Sequence, residues 1–546
     1  MPPRTKAAQP HMDMLLGAWL FGACLLLLPR PTQLCPAGCD CFLREVFCTN
    51  ETLATVPLDI PPRATDIIFI ETLIHTVGNR AFSGSPKLTK VVFLNAQLPS
   101  LGQDAFGGLP ELEDLEITGT TFANLSTDIF CNLSSLAQLT LNFNQLGDLP
   151  EGLFCHLDAL RSLQLQGNLL QTLPAHIFQS LRHLQTLNLA QNLLIRLPVE
   201  LFHSLGGLHT LRLSDNRLSS LPLGLFSGLG SLRELFLDSN SLAELPEGVF
   251  SQLPRLEKLW LQHNALRQLP PSSFSSLHSL AFLNLQGNEL RMLPASLFTQ
   301  TPGLLGLSLS HNKLETVPEG AFANLSQLSS LTLSHNALTH LPAGVFRDLH
   351  DLVKLYLGSN NLTALPLSLF QNLSKLELLS LSRNLLTTLP EGIFDTNYNL
   401  FNLALHGNPW QCDCHLAYLF RWLQQFSEQL FNSQTFCAGP TYLRGQVLPA
   451  LQEELLVCPA SLGGLDLREL GVEKAAQSRC TYSNPEGTVV LACDRARCRW
   501  LKVQLSSRRD SGSGDLEFNA TQEWHLKSSC GSARVRVSIE MLLGQP

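Results

Sequence analysis

An enzyme needs side chains that converge, and the sixteen histidines of this 546-residue chain are the first place to look for them. None stands in His-x-x-Glu or His-Glu-x-x-His spacing, which excludes the common zinc-peptidase helices. No Gly-x-Ser-x-Gly elbow and no Walker loop occurs either. His311 and His335 lie 24 residues apart, as do Cys131 and Cys155. Two histidines without a third ligand make a poor metal site and read as solvated surface. The two cysteines fit a bridge, or a pair of buried free thiols, and both readings stay open. No catalytic residue, no cofactor and no metal is therefore expected. The other chemistry on offer is binding: Phe236, Trp260, Phe282 and Tyr356 stand among bland polar neighbours, with Glu234, Asp238 and Lys258 close by.

What positions these groups is a repeat. Phenylalanine recurs every 24 residues from Phe82 through Phe394, and asparagine keeps the same beat from Asn144 through Asn408. Each asparagine closes a block such as Leu160-x-x-Leu163-x-Leu165-x-x-Asn168, the leucine-rich-repeat pattern. A period held this strictly means a solenoid, in which each turn contacts only its neighbours. The expected fold is an α/β solenoid, a leucine-rich-repeat horseshoe. Each turn should contribute a short strand, as around Leu163-x-Leu165, whose leucines point inward while Ser162, Gln164 and Gln166 face the concave surface. Fourteen strands from Leu88 to Leu400 would span roughly 65 Å. The asparagine should turn inward and pair backbone groups otherwise left buried, and the phenylalanine should fill the outer half of each coil. Leu-Pro pairs from Leu149-Pro150 to Leu389-Pro390 carry the chain across the outer face. The first turns deviate: Ala96 and Thr120 replace asparagine, and the Leu-Pro step is missing.

On this frame Phe236, Trp260 and Phe282 fall on three consecutive turns and should form one aromatic cluster on the concave face. Exposed aromatics ringed by polar groups are typical protein-binding anchors, and no folding need puts Trp on an outward strand position.

The rest of the chain reads as an exported protein. Arg4 and Lys6 precede an apolar run from Leu15 to Leu28, a signal-peptide core over residues 1–34, with Met14 as an alternative start. No later run of 18 apolar residues exists, so release after export is expected. The net charge of −8 with no Lys/Arg block argues against nucleic acid or an anionic membrane as partner. Sequons at Asn50, Asn124, Asn132, Asn324, Asn361, Asn372 and Asn519 suit a secreted glycoprotein. Removing Cys24 with the signal leaves clustered cysteines. Cys35, Cys39, Cys41 and Cys48 precede the first strand (35–63), while Cys412, Cys414, Cys437 and Cys458 follow the repeats 64–408 in a flank (409–459). Spacing alone leaves three pairings for each four, and an exported chain favours disulfides over zinc. A linker (460–479) then leads to a small β-rich module (480–546) containing Cys480, Cys493, Cys498 and Cys530, with strands expected at Thr488 to Ala492 and Val535 to Ile539.

The cap, the unslipped repeats, the flank Asn408-Pro409-Trp410-Gln411-Cys412-Asp413-Cys414 and the tail from Cys480 to Cys493 together resemble the secreted leucine-rich-repeat proteins. Within them the likeness is to the regulatory subunits of plasma zinc carboxypeptidases, and it runs nearly the whole chain. The resemblance implies the pairing Cys35–Cys41, Cys39–Cys48, Cys412–Cys437 and Cys414–Cys458, with a short helix from Leu416 to Phe426. It also implies a non-catalytic plasma glycoprotein that carries and stabilises a catalytic subunit, two of each forming a heterotetramer. The other reading is a secreted recognition or matrix-binding glycoprotein using the same concave face.

Overall fold

The structure, a computed structural model, describes residues 35–426 and 435–458, together with the backbone of four strands farther on. The signal segment 1–34, the linker 460–479 and Asn519 lie outside the described residues. So do Cys498 and Cys530.

One seventeen-stranded sheet runs the length of the repeats. It begins with the antiparallel hairpin Cys39–Phe42 and Glu45–Cys48. From Glu45–Cys48 onward every pairing is parallel, first to Asp66–Ile70 and then, turn by turn, to Asn402–Ala404. From Asp66–Ile70 onward the register never slips from 24: Leu163 lies opposite Leu139 and Leu187, and Leu355 opposite Leu331 and Leu379. In a regular turn the strand is three residues long, as in Ser162–Gln164, with Leu163 fully buried between two half-exposed polar residues. That is period-two alternation with one face packed and one in water.

Leu160, Leu163, Leu165 and Leu170 pack beneath the sheet with Phe178 behind them, all fully buried. Rings of neighbouring turns stack along the outer half, Phe154 on Phe178 at 6.2 Å between centroids and Phe178 on Phe202 at 6.5 Å. Burying one such ring contributes about 2–3 kcal/mol, so the column is a large part of what holds the coils shut.

The asparagines form a second column. Asn192 accepts the Leu170 N–H at 3.2 Å and donates to the carbonyls of Leu165 at 2.9 Å and Leu189 at 3.1 Å. Its side chain thus pairs backbone groups of two adjacent turns that water cannot reach. The residue just before it takes a left-handed conformation, as at Gln191, Asp215 and His311, and this sharp turn points the amide inward. Gly167 fills that position in its turn, where a Cβ would run into the Phe143 ring.

The first turns are built differently. Their strands are five residues long, Asp66–Ile70, Lys90–Leu94 and Asp114–Thr118, and rich in β-branched residues. Where later turns have Leu-Pro, Thr76–Val77 and Ser100–Leu101 pair as a small outer sheet, with the Gly102 N–H donating to Val77 O at 2.8 Å.

Four disulfides close the ends: Cys35–Cys41, Cys39–Cys48, Cys412–Cys437 and Cys414–Cys458. At the far end Trp410 is fully buried and its Nε1–H donates to Leu405 O at 3.0 Å. Asp413 caps the 3-10 turn Cys414–Leu416, which runs into the helix Ala417–Phe426. Trp422 on that helix packs on Phe394 at 5.1 Å, terminating the ring column with a larger ring. In the tail Cys480–Ser483 pairs antiparallel with Val490–Cys493, and Gln522–Ser528 with Gly531–Val537. These strands overlap the two expected there, and the pairing sets Cys480 opposite Cys493.

Candidate binding site on the concave face

The strand positions that face solvent are the first and third of each three-residue strand. Parallel pairing therefore stacks like positions into columns, Glu234 opposite Lys258 and Phe236 opposite Trp260. The Lys258 ammonium donates to Glu234 Oε1 at 2.8 Å, and this hydrogen bond, with the carboxylate's charge, holds the lysine above its ordinary pKa. The Phe236 and Trp260 rings lie nearly parallel with centroids 5.9 Å apart. Arg212, one turn earlier in the same column, sets its guanidinium 4.3 Å from the Phe236 centroid. Three consecutive turns thus present a cation on a ring on a ring, an arrangement stabilised by quadrupole attraction.

Beside this column is a hollow of about 360 Å³, floored by Asn188 and Ala190 and bounded by Arg212, Asp238, Trp260 and Gln262. Asp238 is held in place by the Ser214 hydroxyl, which donates to it at 2.6 Å. Two polar atoms at its edge are buried without a hydrogen-bond partner, the Trp260 Nε1–H donor and the Gln262 Oε1 acceptor. Each such group costs about 1–3 kcal/mol when left unpaired. A donor at the end of the strand Lys258–Trp260 and an acceptor two residues beyond it are what a peptide or carboxamide group would satisfy together.

Phe282 does not join this stack. It opens its strand opposite Lys258 and Gly306, and the residue opposite Trp260 is Asn284. The expected cluster of three rings is thus a pair, because 282 is in phase with 258 and not with 260. Phe282 instead lies exposed over Gly306, whose missing Cβ leaves room for the ring. Tyr356 faces Thr332 and Ser380, four turns beyond Trp260 and away from the hollow. Arg212, Asn188 and Gln262 went unnoticed in the sequence although phase could have found Arg212, 24 residues before Phe236.

Other in-phase pairs are also brought together. The rings of His311 and His335 stack at 4.1 Å. Burial, then the positive charges of His311 and Arg383, lowers the His335 pKa below its ordinary value. Cys131 and Cys155 are free thiols. The sequon residues Asn50, Asn124, Asn132, Asn324, Asn361 and Asn372 are all exposed. No helix among the described residues is long and apolar enough to cross a membrane.

Comparison with known proteins agrees with this architecture. Over 166 residues, 28% of this chain, it is 66% identical to human carboxypeptidase N subunit 2, and over 160 residues it is 62% identical to the mouse protein of that name. These matches span 30% and 29% of the two relatives. A solved leucine-rich-repeat protein of Leptospira interrogans superposes with a TM-score of 0.62 at 29% identity, over 71% of this chain and 95% of that one. The leucine rich repeat family model matches in overlapping windows from 86–146 to 350–409, together more than half of the chain. With its parallel sheet and its asparagine and phenylalanine columns, the chain belongs to the leucine-rich-repeat family.

Proposed function

We propose that this protein is the non-catalytic scaffold subunit of a secreted zinc carboxypeptidase, and that its concave face binds, carries and stabilises the catalytic subunit. The observation that carries the reading is the Arg212–Phe236–Trp260 column beside a hollow whose Trp260 and Gln262 polar atoms have no partner among the described residues. Aromatic and arginine anchors of this kind, once a partner covers them, dominate binding energy at protein interfaces. The likeness to proteins named as a carboxypeptidase subunit supports the choice of partner. Binding the folded form of an enzyme stabilises it by mass action, so a scaffold without turnover of its own still governs how long the activity lasts. In this reading two scaffolds and two catalytic subunits assemble as a heterotetramer in blood plasma, and glycans on the exposed sequons add to the size of the particle. A plain recognition or matrix-binding glycoprotein is the other reading.

Capture of the full chain from plasma tests both. Zinc-dependent carboxypeptidase activity should co-elute, and Trp260→Ala should lose the activity while its circular dichroism and unfolding midpoint stay unchanged. An inert protein eluting alone favours the matrix-binding reading. Peptide hydrolysis by the recombinant chain by itself would overturn the scaffold reading.

A further inference from the structure

Cys131 and Cys155 follow the ring column by one residue, each ending a tight turn of the same shape. The Cys131 N–H donates to Asp128 O and the Cys155 N–H to Gly152 O, both at 3.0 Å. Stacking the turns brings the two thiols together on the outer wall, and His156 comes with them as the next residue. One ligand atom from each of the three lies within 4.8 Å of the others. Asp128 adds a carboxylate, its Oδ1 3.7 Å from Cys131 Sγ. Its other oxygen accepts from Gln103 Nε2 of the preceding turn at 3.2 Å, which turns Oδ1 toward the thiols.

We propose that Cys131, Cys155 and His156, with Asp128 as the fourth ligand, bind a zinc-class divalent cation on the outer wall of the solenoid. Two sulfurs, an imidazole and a carboxylate are the donor set of a tetrahedral zinc site. Zn–S near 2.3 Å and Zn–N near 2.0 Å place neighbouring ligands roughly 3.5–3.8 Å apart. The Cys131–Asp128 separation is already in that range, and the exposed side chains of Cys155, His156 and Asp128 can close the remainder by changing rotamer. Sulfur ligands exclude calcium and magnesium as the resident ion. Binding breaks two S–H bonds, forms two S–metal bonds and releases two protons to solvent, so affinity falls as pH falls. A similar grouping at Asp413, Cys414 and His415 lacks a thiolate, because Cys414 is bridged to Cys458. Asn132 points its amide back toward Asp104 in the preceding turn, away from Cys155, so a glycan there leaves the site open.

The test is the metal content of the full chain, secreted alone and purified without chelator or reductant, with zinc affinity from equilibrium dialysis. About one zinc per chain is expected, falling to near zero in Cys155→Ser and in His156→Ala, with affinity at least roughly tenfold weaker in Asp128→Asn. Cobalt in place of zinc should give a sulfur-to-metal charge-transfer band. His156→Ala is decisive, because a cysteine bridge is indifferent to the imidazole. A Cys131–Cys155 disulfide found by peptide mass mapping of the secreted chain overturns the proposal. So does metal content unchanged by His156→Ala, or two free thiols with no zinc bound.

Discussion

The first turns and the regular ones solve one problem in two ways: how a coil is to be joined to the next when backbone groups between them are out of reach of water. The regular turns use an inward amide, as Asn192 does for Leu165, Leu170 and Leu189. They can therefore place proline on the outer face, where no N–H is needed. The first turns lack the amide and rely on backbone pairing, through longer strands and an outer sheet in which Gly102 keeps the N–H that Pro150 has lost. The second solution is less complete. Thr72, Ala96, Thr120 and Asn144 form one column; Thr120 donates its N–H and hydroxyl to Asn144 at 2.9 and 2.8 Å. Thr72 faces Ala96 and its buried hydroxyl has no partner. An amide column thus supports every turn equally, whereas backbone pairing leaves gaps wherever the sequence drops a polar group.

The largest test of this contrast is Asn192→Ala, which strands the buried Leu170 N–H and takes one of two amide donors from each of the buried Leu165 and Leu189 carbonyls, leaving them only Asn168 and Asn216. It should cost about 4 kcal/mol, read from the urea midpoint of the intact chain. Gly102→Pro imports the regular solution into a turn that cannot use it. Losing the bond to Val77, with crowding against Asn79, should cost about 3 kcal/mol in the same assay. Smaller but sharper is one substitution made twice: Thr120→Val should destabilise by about 1 kcal/mol, and Thr72→Val should stabilise by a similar amount, since only the second removes an unsatisfied hydroxyl. Equal signs would break the comparison. The smallest effect concerns charges that the perfect register sets face to face. In the first turns these are opposite, Lys90 on Asp114 at 2.7 Å, whereas His335 meets His311. A depressed histidine pKa means that the stack's contribution is present above 6.5 and lost as pH falls. NMR titration should place the His335 midpoint below 6.5, and His311→Gln should raise it.

Phase made the fold legible. Counting in steps of 24 assigns the core leucines of the regular turns, the ring column and the asparagine column, because each turn repeats the same contacts with its neighbours. The same arithmetic, applied to the wrong strand position, misplaced Phe282: two residues along a strand is one pleat, and it moves a side chain to another column. The hollow was illegible for a different reason. It depends on which polar atoms fail to find partners, and the Trp260 indole and Gln262 amide look as soluble as any others until the geometry around them is known. Cys131 and Cys155 were visible as a pair, yet His156 and Asp128 gain meaning only when the turn brings their atoms to the thiols.

The ring column has one more effect. Its centroids repeat at 6.2 to 6.5 Å along the turns of Phe154, Phe178 and Phe202, whereas strands on the inner side repeat at about 4.8 Å. Each turn is therefore a wedge, thick at the back and thin at the sheet, and stacked wedges make an arch. Slimmer residues in the column would flatten that arch, so residues that never touch a partner decide how far the molecule reaches around one.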